Sequence, residues 1–384
     1  MRVAYLSTDP GIAYGGAKGA AVHVEELSTA LAAAGAEMLL LVASRAPSAP
    51  APREGLTVDV LPGPGKGASA DDRLAAEPHR VSWLEERLRV FGADVLYERL
   101  GLHSSAGSEL ARRLRVPHLV ELNAPLLAEA KRYRRLERTN MADRLERRTL
   151  LNADIVLAVS RPLAGYARER GARRVEVVPN AVDPARYPRA EGRNGNPPVA
   201  VFAGSLRPWH GIDCLAEAWA LLRNAAPELL VLGDGPGRSL LERAGARTTG
   251  AVPHALVPGY LAQADIGLAP YAADAPDYFS PLKLFEYMAA GLATIASDLP
   301  GVIDVVGDEA AVLVPRGDAR VLADAVVALV GDPARRRRLG EAGRELVLAH
   351  HTWERRARTI LDLAATAPGG PVRRTVSSGV GVSG

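Results

Sequence analysis

The chain of 384 residues has a single cysteine, Cys214. An intramolecular disulfide is therefore excluded, and a thiolate metal cluster with it. A reducing cytoplasm is the expected compartment, with a peripheral position on the inner face of the membrane as its variant. No stretch supplies eighteen consecutive apolar residues, so no membrane-spanning helix is expected, and the first apolar run is too short for a secretory leader. Neither sign of charge is in large excess. The net charge of +3 gives no reason to expect nucleic acid as a partner. Two phosphate-binding signatures are also missing: the glycines of the first loop, Gly11, Gly15, Gly16 and Gly19, do not have the G-x-G-x-x-G spacing, and no Gly-Lys pair is followed by Ser or Thr.

What is present reads as a globular α/β protein, with 48% hydrophobic and 24% charged residues. The length points to two domains of roughly 150 to 190 residues. Apolar runs at 3–7 and 38–43 flank a helical pattern at 20–34, the opening of a parallel sheet with helices on both faces. Further strands are expected at 95–97, 118–122, 155–159 and 175–178, and an unbounded one precedes "GPGKG" near Lys66. Residues 184–198 are dense in Pro, Gly and Arg and read as a linker. A second series then follows: strands at 199–203, 229–232, 266–269, 294–297 and 311–314, with a helix at 212–223. Two such sheets would face one another across a crevice at the carboxyl ends of their strands. Residues 367–384 read as a disordered tail.

Three segments carry candidate chemistry. In "DPGIAYGGAKGA", Gly15 and Gly16 lie between a strand and a helix, where backbone N–H groups can approach an anion; a flexible turn is the plainer reading. In "FAGSLRPWHG", Gly204 and Ser205 follow a strand, and Arg207 and His210 stand ahead of a helix as candidate diphosphate ligands. Gly233, in "VLGDGPG", marks another sharp turn. The most specific segment is "DYFSPLKLFEYMAAG", where Ser280 is the expected N-cap of a helix over 282–290 that Pro281 precedes. Lys283 and Glu286 share one face, either as a surface ion pair or with Lys283 on phosphate and Glu286 on ribose hydroxyls. The run 131–148 reads as one Arg-rich helix with a solvated face, and contact with anionic lipid is the less favoured option. His23 is read as structural.

With "VVPNAVD" and "HTWERRA", these motifs over roughly residues 1–365 resemble retaining glycosyltransferase family 4. The resemblance implies the GT-B architecture, two Rossmann-like domains facing each other across a cleft. It divides the chain into an acceptor-binding domain over 1–183 and a nucleotide-sugar domain over 199–352, with a helix over 353–366 packing back on the first domain. It implies transfer of a hexose-type sugar, with retention, from a nucleotide diphosphate sugar, a UDP-sugar foremost, to a hydroxyl of a small-molecule, lipid or glycan acceptor. No cofactor or metal is expected, and the chain has no Asp-x-Asp. Asn123, Arg207, His210 and Lys283 are the implied catalytic residues. Gly15, Gly16, Gly204, Ser205, Gly233, Val252, Ser280, Pro281, Leu282 and Glu286 are the implied donor ligands. The chain departs from the family pattern at four places: Ser205 and His210 replace an arginine and a lysine, Tyr278 replaces the first glutamate of a spaced pair, and Asn123 replaces a histidine. These departures leave open a catalytically silent nucleotide-sugar-binding subunit, and the architecture also serves epimerases and phosphorylases.

Overall fold

The structure, a computed structural model, describes residues 1–133, 137–190, 197–307, 309–368 and 370. Its first unit is a sheet of seven strands: β1 (Arg2–Ser7), β2 (Glu37–Val42), β3 (Leu56–Val60), β4 (Val95–Arg99), β5 (His118–Leu122), β6 (Ile155–Ala158) and β7 (Val175–Val177). The second unit has six: β8 (Val199–Ala203), β9 (Glu228–Leu232), β10 (Arg247–Thr248), β11 (Ile266–Ala269), β12 (Ala293–Ser297) and β13 (Val312–Val314). The strand orders are β3-β2-β1-β4-β5-β6-β7 and β10-β9-β8-β11-β12-β13, with every pairing parallel. In each sheet the order reverses beside the first strand, which opens a crevice between β1 and β4 and another between β8 and β11.

The strands are apolar on both faces because both faces are covered. Val3 and Tyr5 pack on one side of the first sheet with Leu40 and Val42, while Ala4 and Leu6 pack on the other with Leu39 and Leu41. In the second sheet Val199 and Val201 are likewise separated from Ala200 and Phe202. The chain passes between the units at Val182 and again at Thr352. These two crossings are tied together, because Val182 N–H donates to the His351 carbonyl and Trp353 N–H to the Val182 carbonyl, each at 3.1 Å. The helix Trp353–Thr366 then buries Trp353, Ala357, Ile360 and Ala364 in the core of the first sheet.

Two expectations change. The basic run is not one helix: it is shared between Leu126–Tyr133 and Thr139–Asn152, with Arg138 at a left-handed φ of 49° ahead of the second, and its residues 134–136 lie outside the described residues. The short strand β10 had no counterpart in the sequence reading. Residues 191–196 of the expected linker, and 369 and 371–384 of the expected tail, also lie outside the described residues.

Candidate functional site

At the ends of β8 and β9 two glycines let the backbone fold back on itself. Gly204 has φ 143° and Gly233 φ 152°, and a Cβ on Gly233 would stand 1.9 Å from the Gly204 carbonyl oxygen. No larger residue fits there. The two loops are bonded together, Leu206 N–H donating to the Asp234 carbonyl at 3.0 Å and Gly237 N–H to the Leu206 carbonyl at 3.1 Å. Gly233 also bridges to Gly250, just ahead of Val252, which packs half-buried on the core.

His210 ends a short turn over Pro208–His210, with Nδ1 2.6 Å from the Ser205 carbonyl. A carbonyl only accepts, so Nδ1 carries the hydrogen and Nε2 is left to accept. Burial, and then the charge of Lys283, push the His210 pKa down to about 3 against the Ser205 bond. The ring is therefore neutral at pH 7, not a cation. Arg207 and Ser205 are exposed, and the Arg207 guanidinium lies 5.9 Å from the Trp209 ring centroid.

The helix Leu282–Ala289 is apolar around most of its circumference, and from Lys283 to Ala289 every residue is buried. Pro281, not Ser280, holds the N-cap position, and no side chain caps the helix. Ser280 is diverted across the interface: its Oγ accepts from the Asn180 N–H at 3.2 Å and its carbonyl from Asn180 Nδ2 at 2.6 Å. Leu282 packs against the first unit. Lys283 and Glu286 are 8% and 9% exposed, so the surface ion pair is ruled out. Among the described residues Lys283 Nζ has no hydrogen-bond partner; it lies 3.9 Å from the Phe202 ring centroid, and a Cβ on Gly204 would stand 3.0 Å from it. Burial lowers its pKa to about 7, with Glu286 opposing. Glu286 Oε1 accepts from Tyr187 OH at 3.1 Å and from His254 Nε2 at 2.7 Å. Arg186 Nη2 donates to His254 Nδ1 at 3.3 Å, which leaves the His254 hydrogen on Nε2.

Gly15 and Gly16 are spent inside the first unit. A Cβ on Gly15 would meet Ala49 at 2.5 Å, and one on Gly16 the Ala13 carbonyl at 2.9 Å. The helix that follows begins at Gly19, where an added Cβ would lie 3.5 Å from Leu282 Cδ1, so the helix start reaches the opposite unit. Asn123, just past β5, donates from Nδ2 to Glu121. The two units also meet at the position where the resemblance implies a glutamate: Tyr278 OH donates to Glu129, its carbonyl accepts from Ser160 Oγ at 2.9 Å, and Arg132 pairs with Asp274 at 2.7 Å.

Gly204, Ser205, His210, Gly233 and Lys283 thus form one group, and Glu286 joins it through the shared helix. Asn123 stands on the other unit. Sequence reasoning did not single out Glu121, Asn180, Tyr187 or His254. The one available signal was Glu121, a carboxylate in the buried strand "HLVEL". Among the described residues no cluster of three or more His, Cys, Asp or Glu could hold a metal ion, and no helix is long and apolar enough to cross a membrane.

Residues 17–186 match the model described as Glycosyltransferase Family 4, and residues 197–332 that described as Glycosyl transferases group 1. The alpha-maltose-1-phosphate synthase of Mycolicibacterium smegmatis is 27% identical over 402 residues, covering 94% of this chain and 98% of that protein. Among solved structures, the sucrose-phosphate synthase of Thermosynechococcus elongatus superimposes with a TM-score of 0.75 at 23% identity, covering 94% of this chain and 98% of that one. Anabaena HepE in complex with UDP-glucose does so with a TM-score of 0.68 at 15% identity, covering 94% and 99%.

Proposed function

The chain belongs to the glycosyltransferases of GT-B type that join a family 4 segment to a group 1 segment, and from that premise we propose that it moves a hexose-type sugar, with retention, from a UDP-sugar to a hydroxyl of a small-molecule, lipid or glycan acceptor. The observation that carries the reading is Lys283, a buried amine that has no hydrogen-bond partner among the described residues and lies beside the Gly204 loop. A buried cation left without a hydrogen-bond acceptor is unfavourable, and a diphosphate supplies one. Glu286, held at Oε1 by Tyr187 and His254, lies one turn further on, where its carboxylate can accept both ribose hydroxyls. A donor complex is seen in the fold relative HepE, whose structure holds UDP-glucose.

In the proposed reaction the bond from the anomeric carbon to the diphosphate oxygen breaks as the acceptor oxygen bonds to the same face of that carbon. The departing phosphate oxygen takes the acceptor proton. Lys283 and Arg207 stabilise the charge that develops on the diphosphate, each good donor contributing about 3 to 4 kcal/mol. His210, neutral, contributes a hydrogen-bonding edge. The reaction is metal-independent and proceeds in the cytoplasm.

Incubation with a panel of nucleotide sugars tests this without knowledge of the acceptor. Slow donor hydrolysis is expected, strongest with a UDP-sugar and lost in Lys283→Met. A product of inverted anomeric configuration by NMR, or activity abolished by EDTA and restored by magnesium, would overturn the corresponding part. The engagement of Tyr278 with Glu129 favours one second reading, a nucleotide-sugar-binding subunit without turnover. Tight UDP-sugar binding with no hydrolysis would decide for it.

A further inference from the structure

Glu121 is 2% exposed, on a strand with every residue buried. Burying a carboxylate is costly, and an apolar side chain of similar volume would often serve stability as well or better. The protein nevertheless surrounds this one with donors from separate elements. Tyr5 OH from β1 and Tyr97 OH from β4 each donate to Oε2 at 2.9 Å, and Arg99 Nη1 donates to Oε1 at 2.7 Å. His23 Nε2, from the helix Gly19–Ala33, lies 2.7 Å from Oε1. Burial works against the charge, but His23 and Arg99 more than offset it and hold the carboxyl well below the usual range. The group is a fixed anion.

The remaining partner is Asn123, whose Nδ2 donates to Oε1. An ionised carboxylate accepts and never donates, so it settles an orientation that an amide otherwise leaves open. The nitrogen faces Glu121. The amide oxygen is turned the other way, and among the described residues nothing donates to it. Asn123 sits between the carboxyl end of β5 and the helix Leu126–Tyr133, whose Glu129 and Arg132 touch Tyr278 and Asp274 of the second unit. A second path leads from the same carboxylate to the donor helix. His23 Nδ1 meets Asn180 Oδ1 at 2.7 Å, and Asn180 holds both the hydroxyl and the carbonyl of Ser280.

We propose that Glu121 is a positioning residue: it holds the Asn123 amide with its oxygen toward the cleft, where that oxygen accepts a hydroxyl of the sugar being transferred, and through His23 and Asn180 it keeps this oxygen in register with the donor helix. The sugar contact rests on the donor reading above; the holding of Asn123 does not.

The test has two arms. In protein labelled with ¹⁵N at asparagine side chains, the Asn123 amide, identified by its loss in Asn123→Asp, should show one proton shifted downfield and slowed in exchange, and Glu121→Gln should abolish both effects. An unchanged signal in Glu121→Gln would overturn the proposal. In the second arm, donors lacking one sugar hydroxyl at a time are compared. The native enzyme should lose roughly tenfold or more in kcat/KM for one of them, and this discrimination should collapse in Glu121→Gln and equally in Asn123→Ala, which leaves Tyr5, Tyr97, Arg99 and His23 around Glu121. A uniform loss with every donor would mean that Glu121 only supports the fold. If the native protein binds no nucleotide sugar at all, the function reading fails and the sugar contact with it, while the amide signal still decides whether Glu121 holds Asn123.

Discussion

Lys283 has the least favourable charge among the candidate site residues, and its consequences can be measured. Its pKa falls from 10.5 to about 7 on burial. Between those values the unfolded chain binds a proton that the native chain lacks, so stability rises with pH across the window and is lowest below it. Lys283→Met should therefore stabilise the ligand-free protein at pH 6, on the order of a few kcal/mol by urea unfolding, and much less at pH 10. The same depressed value makes nucleotide binding take up a proton near pH 8. Calorimetry in buffers of different ionisation enthalpy should detect that uptake in the native protein and not in Lys283→Met. His210, with its pKa near 3, should leave no step in turnover between pH 6 and 7, and His210→Lys should bring little gain. Lys283 and Glu286 could be proposed from the chain alone because they share a short motif on one helix. Glu121 shows there only as a carboxylate in a buried strand, since its role comes from Tyr5, 116 residues away in sequence, and from His23 on a separate helix. The N-cap expected at Ser280 fails for a similar reason: Asn180, from the other unit, claims its hydroxyl and carbonyl.

The helix Leu282–Ala289 carries both donor residues, and its setting depends on one hydroxyl behind it. Tyr287 OH accepts from Ala203 N–H at 2.7 Å and donates to the Leu268 carbonyl at 3.3 Å, which pins the helix to β8 and β11. Tyr287→Phe leaves two buried backbone groups unsatisfied and should cost about 1–3 kcal/mol in denaturant unfolding. Nucleotide affinity should weaken with it, as Lys283 and Glu286 lose their fixed position. Gly267→Ala should act on the same element more severely, because its Cβ would stand 2.6 Å from the Tyr287 ring. Elements such as β5, β8 and β11 were legible to the residue because each is a short apolar run ended by a polar or turn residue. β10 was not, having two residues and no pattern to recognise. The basic run misled because regular charge spacing continues through Arg138, whereas the backbone there leaves the helix.

At the scale of the molecule, the decisive element is the last helix, which closes the core of the sheet that the chain began. Trp353→Ala should cost about 3–5 kcal/mol. Hydrogen exchange should register that loss in the first unit, around Tyr5, Tyr97 and Leu119, and leave the second unit's amides nearly as protected as before. The closing of the chain onto its own start also bears on how the protein is made. As the polypeptide emerges from the ribosome, the first sheet is synthesised early but lacks Trp353 and Ile360. The second sheet is completed entirely from residues between the two crossings. The usual order of co-translational folding, N-terminal unit first, no longer follows from the order of synthesis: the later-made unit can finish its core while one face of the earlier sheet still waits for the helix Trp353–Thr366.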